Sequence, residues 1–154
     1  MSEFRLGPSL ENTLRALAVT AKATIGRCDV ASATLVQEGE VVGRGWTDRI
    51  ARDLDSAQSK AGEGPAVDAL HLLRAVNVPS VGDREGCDLF REVALANGIR
   101  SALSFPLVRR GRAIGGVNLY SRDLHGFEMC EPQVEDFAAR AAATLLLSAT
   151  LKGT

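Results

Sequence analysis

Residues 101–121, SALSFPLVRRGRAIGGVNLYS, decide the fold of this chain. The apolar runs at 100–108 and 113–121 predict two strands, and the charged segment 109–112 between them predicts the turn of a hairpin. Pro106 has no N–H group, so we expect its position to face a bulge or a sheet edge. The stretch therefore predicts an antiparallel pair of strands.

A second hairpin is predicted upstream. Residues 31–37, ASATLVQ, form one predicted strand, and 40–46, EVVGRGW, form the return strand. Glu38 and Gly39 lie between them as a turn. The glycines of the return strand indicate a bulge or a close backbone contact.

Helical periodicity and cap signals predict helices over most of the remaining chain. The predicted helices span 9–25, 47–60, 66–74, 84–97 and 132–151, and a short extended segment lies at 75–80. Hairpins flanked by helices at both ends predict an α+β fold with an antiparallel sheet. The length of 154 residues fits one domain, residues 1–154.

The composition narrows the function classes. A net charge of −1 argues against direct binding of nucleic acid. No apolar run is long enough to span a bilayer, and residues 1–7 lack the apolar region of a signal peptide. Three cysteines without paired spacing predict free thiols, and with two distant histidines they do not form a zinc motif. We therefore expect a cytoplasmic protein.

The segments GEGP at 62–65, SALSFPL at 101–107 and GGVNLYS at 115–121, in this order, resemble the GAF domain. With Leu54, Asp55 and Gln58 before GEGP, the chain is similar to the bacterial subgroup often found ahead of an RNA-binding ANTAR module. It departs from that subgroup at Ala66, where a cysteine is frequent, and no ANTAR-like segment follows Thr154. Either the protein stands alone or its output module is separate or missing.

The resemblance implies a GAF/PAS-like sheet of five to six strands, with the N- and C-terminal helices packed on one face. It also implies a small-molecule pocket over the sheet, roofed by the segments between the second and third strands, in a regulatory domain that senses a ligand. Strand alternation puts Ser101, Leu103 and Phe105 on one face, and Asn118 and Tyr120 on one face. The candidate ligand-binding residues are Trp46, Leu54, Asp55, Gln58, Gly64, Pro65, Ala66, Ser101, Leu103, Phe105, Asn118 and Tyr120.

Each polar candidate also has a structural interpretation. Asn118 in an apolar strand needs a partner, which a ligand, the GEGP loop or neighbouring backbone could supply. Asp55 and Gln58 share a helical face that either points into the pocket or is solvated. The helix start at Gly64 and Pro65 could hold an anion, receive the carboxylate of Glu63, or simply join two helices. Asp68 on the first turn of that helix is expected to act as a cap.

Several family activities lack their residues here. The branch that reduces free methionine sulfoxide needs a cysteine where Ala66 stands, so we expect no catalysis. In cyclic-nucleotide GAF domains an Asn-Lys pair is typical, but Asn118 is followed by Leu119. No cysteine adjoins a histidine as bilin attachment requires, and His71, the only plausible haem ligand, is better interpreted as a core or half-exposed histidine. The cofactor and the ligand stay unknown at this point.

The last predicted helix reads FAARAAATLLLSATL from Phe137 onward, with Arg140 as its only charge. One face should cover the sheet, and the other needs a second apolar surface. The resemblance implies a homodimer through the N- and C-terminal helices, while the alternative is that the two helices pair within one chain. Two functions remain open: a ligand sensor, or a dimerisation module whose vestigial pocket is filled by its own side chains.

Overall fold

The computed structural model of the protein describes residues 8–153, and side chains for 9–148. The stretch 1–7, where the sequence predicts no signal peptide, lies outside the described residues. The elements are α1 (Pro8–Thr24), β1 (Val30–Gln37), β2 (Glu40–Trp46), α2 (Arg49–Ala61), α3 (Pro65–Leu72), β3 (Val76–Val78), α4 (Asp88–Ala96), β4 (Ser101–Arg109), β5 (Arg112–Ser121) and α5 (Glu131–Gly153). A short 3₁₀ turn, Val81–Asp83, precedes α4.

The strands form one five-stranded antiparallel sheet in the order β2-β1-β5-β4-β3. Both predicted hairpins are present, and the pairing of β1 with β5 joins them. Their tight turns carry positive φ at Glu38-Gly39 and Arg110-Gly111, which suits the twist of two-residue hairpins. The predicted α+β class with an antiparallel sheet is confirmed.

The two faces of the sheet bury different helices. Helices α1 and α5 cover one face, as the sequence predicts, and this terminal-helix face carries the larger apolar core. Helices α2, α3 and α4 lie on the opposite, cavity face. Alternation along β5 sends Val117 and Leu119 to the terminal-helix face, and Asn118 and Tyr120 to the cavity face.

Two irregular positions expected from the sequence are found. The β1–β2 pairing shifts register between Leu35 and Val36, which is the bulge that the glycines of β2 indicate. Gly45 faces the backbone of Leu14 and Arg15, so closely that a Cβ would overlap α1. The glycine thus permits direct packing of α1 on β2.

The fourth helix is shorter than predicted. The sequence pattern starts it at residue 84, whereas α4 begins at Asp88. Gly86 and Cys87 have φ values of 73° and 56°, which the right-handed helix excludes. Residues 84–87 therefore form a connection after the 3₁₀ turn.

Strand β3 covers only the first part of β4. It pairs with Ala102–Ser104, so the β4 residues that follow, Pro106 among them, lie at an open sheet edge. The expectation that Pro106 faces an edge is confirmed. No strand lies beside it at this edge, so no hydrogen bond of the sheet is lost through its missing N–H.

Helix α5 buries Val134, Phe137, Ala141 and Leu145 against the sheet and packs alongside α1. Its outward positions include Ala139, Ala143 and Leu147, which are exposed. The two terminal helices thus contact each other within one chain, and α5 still presents small and apolar side chains outward. Among the described residues, no helix has the length and apolar character needed to cross a membrane.

Candidate ligand site

A small cavity of about 60 Å³ lies between the cavity face of the sheet and helices α2 and α3. It is lined by Thr34, Val41, Arg44, Asp55, Gln58, Ser59, Ala66, Val67, Ala69, Leu70, Phe105, Gly116 and Asn118. The roof therefore comes from the connection between β2 and β3, as the resemblance implies.

Helix α2 brings its polar side chains to the sheet because of how it starts and ends. Asp48 caps the N-terminus by accepting the N–H of Ala51 at 3.2 Å. Gly62 ends the helix in the left-handed conformation and donates to the carbonyl of Gln58. Between these ends, Leu54, Asp55 and Gln58 face the sheet and are buried.

Asp55 is the centre of a buried hydrogen-bond network. The Tyr120 hydroxyl donates to Asp55 Oδ1 at 2.6 Å, and Asn118 Nδ2 lies 3.4 Å from the same oxygen. Asn118 Nδ2 also donates to Ser32 Oγ at 3.1 Å. The partners of Asn118 are therefore side chains of β1 and α2, neither the GEGP loop nor the neighbouring backbone.

The second oxygen of Asp55 has no protein partner. Asp55 is 6% exposed, and its Oδ2 is buried without a hydrogen bond. Burial raises the pKa of this carboxyl, while the nearby Ser32 hydroxyl and the hydrogen bonds from Tyr120 and Asn118 act in the opposite direction. Burial and the adjacent Asp55 raise the pKa of Tyr120 well above its ordinary value, which keeps its proton available for donation.

Gln58 ties the cavity roof to the sheet. Its Nε2 donates to the Tyr120 hydroxyl at 2.9 Å, and its Oε1 accepts the N–H of Ala66 at 2.8 Å. Gly64, at φ 136°, passes so close that a Cβ would overlap the Gln58 amide. The side chain of Gln58 thus occupies the start of α3. It therefore takes the place that the sequence left open to an anion or to the carboxylate of Glu63.

The structure decides between the alternatives for the polar candidates, and it places Asp55 and Gln58 in the interior. Asp55 and Gln58 are not on a solvated face, because the face they share packs on the sheet. Asp68 does not cap α3 through its side chain, and instead accepts Arg84 Nη2 at 2.6 Å. The expectation of a cap at Asp68 is therefore wrong.

The predicted site residues do not all meet. The cavity brings together Asp55, Gln58, Ala66 and Asn118, with Gly64 and Tyr120 directly behind them. Phe105 also contributes to the lining. Leu54 and Pro65 are buried next to the cavity, Leu54 within the core under α2. Trp46 lies at the edge strand, half-buried against that core and beside an open surface groove with Arg15 and Asp48.

Strand β4 turns its candidates away from the cavity. Leu103 and Phe105 pair with Leu119 and Val117, which puts their side chains on the terminal-helix face. The ring of Phe105 packs edge-on against Phe137 of α5, and only its carbonyl oxygen lies beside Gly116. Ser101 Oγ donates to the Asp123 carbonyl at 2.6 Å, remote from the cavity. Alternation defines the two faces of each strand, but the register decides which face neighbouring strands share.

Sequence reasoning missed Arg44, Thr34, Ser32 and Gly116 as parts of this site. Ser32 and Thr34 alternate with apolar residues in β1, which signals a polar patch on one face of a buried strand. Arg44 pairs with Thr34 across the hairpin and so lies on the cavity face. Gly116 leaves open the space between Thr34 Oγ1 and Leu70.

A larger groove of about 570 Å³ lies on the other side of the sheet, between the open edge of β4 and α5. Its walls include Leu73, Phe105, Val108, Val134 and Ala138. The buried side-chain atoms without hydrogen-bond partners, Asp55 Oδ2 and Ser104 Oγ, do not belong to the groove lining. The small cavity therefore has the more specific polar chemistry, despite its size.

The thiols are poorly suited to nucleophilic chemistry. Burial raises the pKa of Cys28 to about 12, and burial also raises the pKa of Cys87 and of Cys130. A thiol is nucleophilic only as its thiolate. Within residues 8–153, no group of three or more His, Cys, Asp or Glu side chains is placed to hold a metal ion.

Comparison with solved structures finds the same fold. A GAF domain region of a putative membrane protein from Geobacter sulfurreducens PCA superposes with a TM-score of 0.66 at 20% identity, over 90% of this chain and 94% of the other. A domain of a putative two-component sensor histidine kinase from Sinorhizobium meliloti 1021 gives 0.66 at 23% identity, over 92% and 93%. Free methionine-R-sulfoxide reductase from Neisseria meningitidis, in complex with its substrate, gives 0.63 at 19% identity, over 94% and 81%.

Comparison with curated proteins finds no significant match. The model of one protein family, described as GAF domain, matches residues 7–145. That range takes in the whole sheet and the helices on both of its faces. The chain therefore belongs to the GAF domain family.

Proposed function

We propose that the chain is a non-catalytic regulatory domain that binds a small ligand in the cavity between the sheet and helices α2 and α3. The observation that carries the proposal is the buried, unpartnered Oδ2 of Asp55 at a cavity-lining residue. A buried polar atom without a partner costs about 1–3 kcal/mol. A ligand that supplies the missing hydrogen bond would remove this cost, and binding would follow from that difference.

Strand β5 offers a route from the ligand to the terminal helices. Asn118 faces the cavity, while Val117 and Leu119 on either side of it pack in the core under α1 and α5. A ligand that shifts β5 would therefore change the surface on which both helices rest. We propose that the terminal helices carry the signal to a partner copy in a homodimer or to an output module.

The comparisons support a regulatory role without identifying a ligand. A structural neighbour that is a domain of a putative sensor histidine kinase supports this role, whereas another neighbour, a methionine sulfoxide reductase, is an enzyme. Ala66 at the end of GEGP-A and the buried, protonated thiols support a domain without thiol catalysis. The free cysteines and the GEGP segment support a cytoplasmic, bacterial protein of the subgroup that accompanies ANTAR modules.

A dimerisation module with a vestigial cavity is the second candidate function. It is favoured by the small volume of the cavity, about 60 Å³, and by the hydrogen bonds that Gln58, Tyr120 and Asn118 make among protein groups. In this case the side chains themselves would be the permanent content of the pocket. The two candidates differ in whether any small molecule stabilises the fold.

Native mass spectrometry of the purified protein, followed by a thermal-shift screen of metabolites, tests the sensor proposal. A sensor is expected to retain a ligand or to gain stability from at least one compound, because binding to the folded state raises the unfolding free energy by mass action. Gly116→Val is the companion variant, since its side chain would fill the space beside Thr34 Oγ1 and Leu70 and abolish the shift. Absence of any bound or stabilising compound would favour the dimerisation module.

A further inference from the structure

The hydrogen bonds around Asp55 fix the direction in which each neighbouring group donates. Gln58 Oε1 accepts the N–H of Ala66, so the amide orientation makes Nε2 the donor to the Tyr120 hydroxyl. Tyr120 in turn directs its own proton to Asp55 Oδ1. Asp55 Oδ1 is therefore an acceptor, and in the ionised carboxylate Oδ2 is one as well, so the group that would complete it is a hydrogen-bond donor.

Arg44 supplies the opposite charge at the mouth of the same cavity. Its register partner is Thr34, which puts the guanidinium on the cavity face, and Nη2 donates to Ser59 Oγ at 3.2 Å. Arg44 is exposed, whereas Asp55 is buried, so the acid lies at the bottom and the base at the entrance. The remaining wall is largely apolar, with Val41, Ala69 and Leu70.

The size of the cavity limits what can reach the acid. A volume of about 60 Å³ accommodates a compact group of a few atoms, not a ring system, in the conformation described. A primary ammonium on a methylene fits this limit and offers up to three N–H donors. The rest of such a ligand would extend towards Arg44.

We infer that the ligand is a small aminocarboxylate, with its primary ammonium on Asp55 Oδ2 and its carboxylate on Arg44 at the cavity mouth. This inference rests on the proposed ligand-binding function and names the chemistry of its ligand. Pairing with a cation also offsets the burial that raises the pKa of Asp55, because an adjacent positive charge favours the ionised carboxylate.

A homologous series of probes tests the inference. Glycine, β-alanine, γ-aminobutyrate and 5-aminopentanoate vary the distance between the two charges, and acetate, propionate, methylamine and propylamine each lack one of them. Thermal shift and calorimetric titration are run on the whole chain near pH 7. One or two aminocarboxylates are expected to bind, and the probes with a single charge are expected to bind at least about tenfold more weakly.

Variants assign the binding to the two residues. Asp55→Asn is expected to weaken the best aminocarboxylate at least about tenfold, while Asp53→Asn, an exposed acid on the same helix, leaves it unchanged. Arg44 is exposed, so Arg44→Gln is expected to fold. It tests the carboxylate end of the ligand even if Asp55→Asn does not fold. Glu63→Gln controls for a change of charge near the α3 start.

The outcomes separate this inference from the proposed function. Binding of a ligand without an amine, or binding that survives both Asp55→Asn and Arg44→Gln, would overturn the aminocarboxylate and leave the sensor in place. Failure of every compound, in this series and in the broader metabolite screen, would overturn both. Selective loss in Asp55→Asn and Arg44→Gln supports the inference.

Discussion

Asp55 shows how one side chain acquires a special environment from its neighbours. The helix α2 face that carries it is buried, so the carboxyl loses its solvent, and Tyr120 and Asn118 of β5 donate to its Oδ1. Only one of its two oxygens benefits from the Tyr120 and Asn118 contacts. The site is therefore a buried polar network in which one carboxylate oxygen lacks a hydrogen bond. An additional donor to that oxygen would stabilise the network.

The raised pKa of Asp55 predicts a definite pH dependence of stability. The folded state binds this proton more tightly than the unfolded chain, for which the carboxyl value is 3.8. The stabilisation is therefore fully present below that value and is lost as the pH rises through the raised pKa. Asp55→Asn does not titrate, so its melting temperature relative to wild type is expected to increase as the pH rises from about 4 through the raised pKa of Asp55.

Thermal unfolding across that pH range checks this prediction, with Asp53→Asn as the exposed control on the same helix. The control removes one negative charge without touching the network. A constant difference between Asp55→Asn and wild type at every pH would show that the carboxyl does not titrate differently in the folded state.

Gln58 is expected to be the most sensitive polar residue of the site. Gln58→Ala would leave the buried Tyr120 hydroxyl and the Ala66 N–H each short of a partner, at a cost of about 2 kcal/mol or more. Urea unfolding measures this loss. Lys60→Ala, exposed on the same helix, is expected to stay within about 0.5 kcal/mol of wild type, and equal effects of the two variants would contradict the bridging role of Gln58.

The residues of the site were only partly predictable. The spacing of Asp55 and Gln58 on one helical face predicts that they act together, and the alternation of Asn118 and Tyr120 predicts their shared face. The relation of β4 to that face was not predictable, because it depends on the pairing of Leu103 with Leu119. The position of Arg44 on the cavity face was not predictable for the same reason, because it depends on the pairing of Arg44 with Thr34.

At the scale of elements, the GEGP loop determines how α3 covers the cavity. Gly62 ends α2 in the left-handed conformation, and Gly64 lies at φ 136°, ψ 171°, a region that essentially only glycine adopts. The helix then restarts at Pro65, which has no N–H to satisfy. The glycine and proline pattern predicted this break well, whereas the left-handed Cys87 before α4 carries no such sequence signal.

The two glycines of the loop give a matched pair of variants. Gly64→Ala is expected to cost about 3 kcal/mol, because backbone strain adds to overlap with the Gln58 amide. Gly62→Ala has free space around the new Cβ and is expected to cost about 1 kcal/mol for the left-handed conformation alone. Chemical denaturation of both variants measures the difference, and equal losses would argue against contact between the loop and Gln58.

At the scale of the whole molecule, the sheet separates a face with a polar cavity from a face with the larger apolar core. The cavity side carries the candidate ligand chemistry, and the terminal-helix side carries the larger core with α1 and α5. The resemblance to the GAF domain implied this division, because it places the N- and C-terminal helices together on one face of the sheet. Intrachain contacts account for the inner sides of α1 and α5, and the proposed homodimer would cover their outer sides.

Self-association through the terminal helices is tested by a charge on their outward surface. Ala143 is exposed on α5 near the apolar Leu147, so Ala143→Glu is expected to convert a dimer into a monomer without unfolding the chain. Light scattering coupled to size exclusion at micromolar concentration measures the mass. Ala96→Glu, exposed on α4 across the sheet, is the matched control, and a wild-type monomer would remove the dimer from the account.

The most direct test of the central claim is to locate a bound ligand by amide chemical-shift mapping. The strongest stabilising compound from the metabolite screen is titrated into ¹⁵N-labelled protein. The account predicts that the largest shifts occur at Ala66, Gly116 and Asn118, around the Asp55 cavity, and that they are absent in Asp55→Asn. Shifts confined to the groove lined by Leu73, Val134 and Ala138, and unchanged in Asp55→Asn, would contradict it.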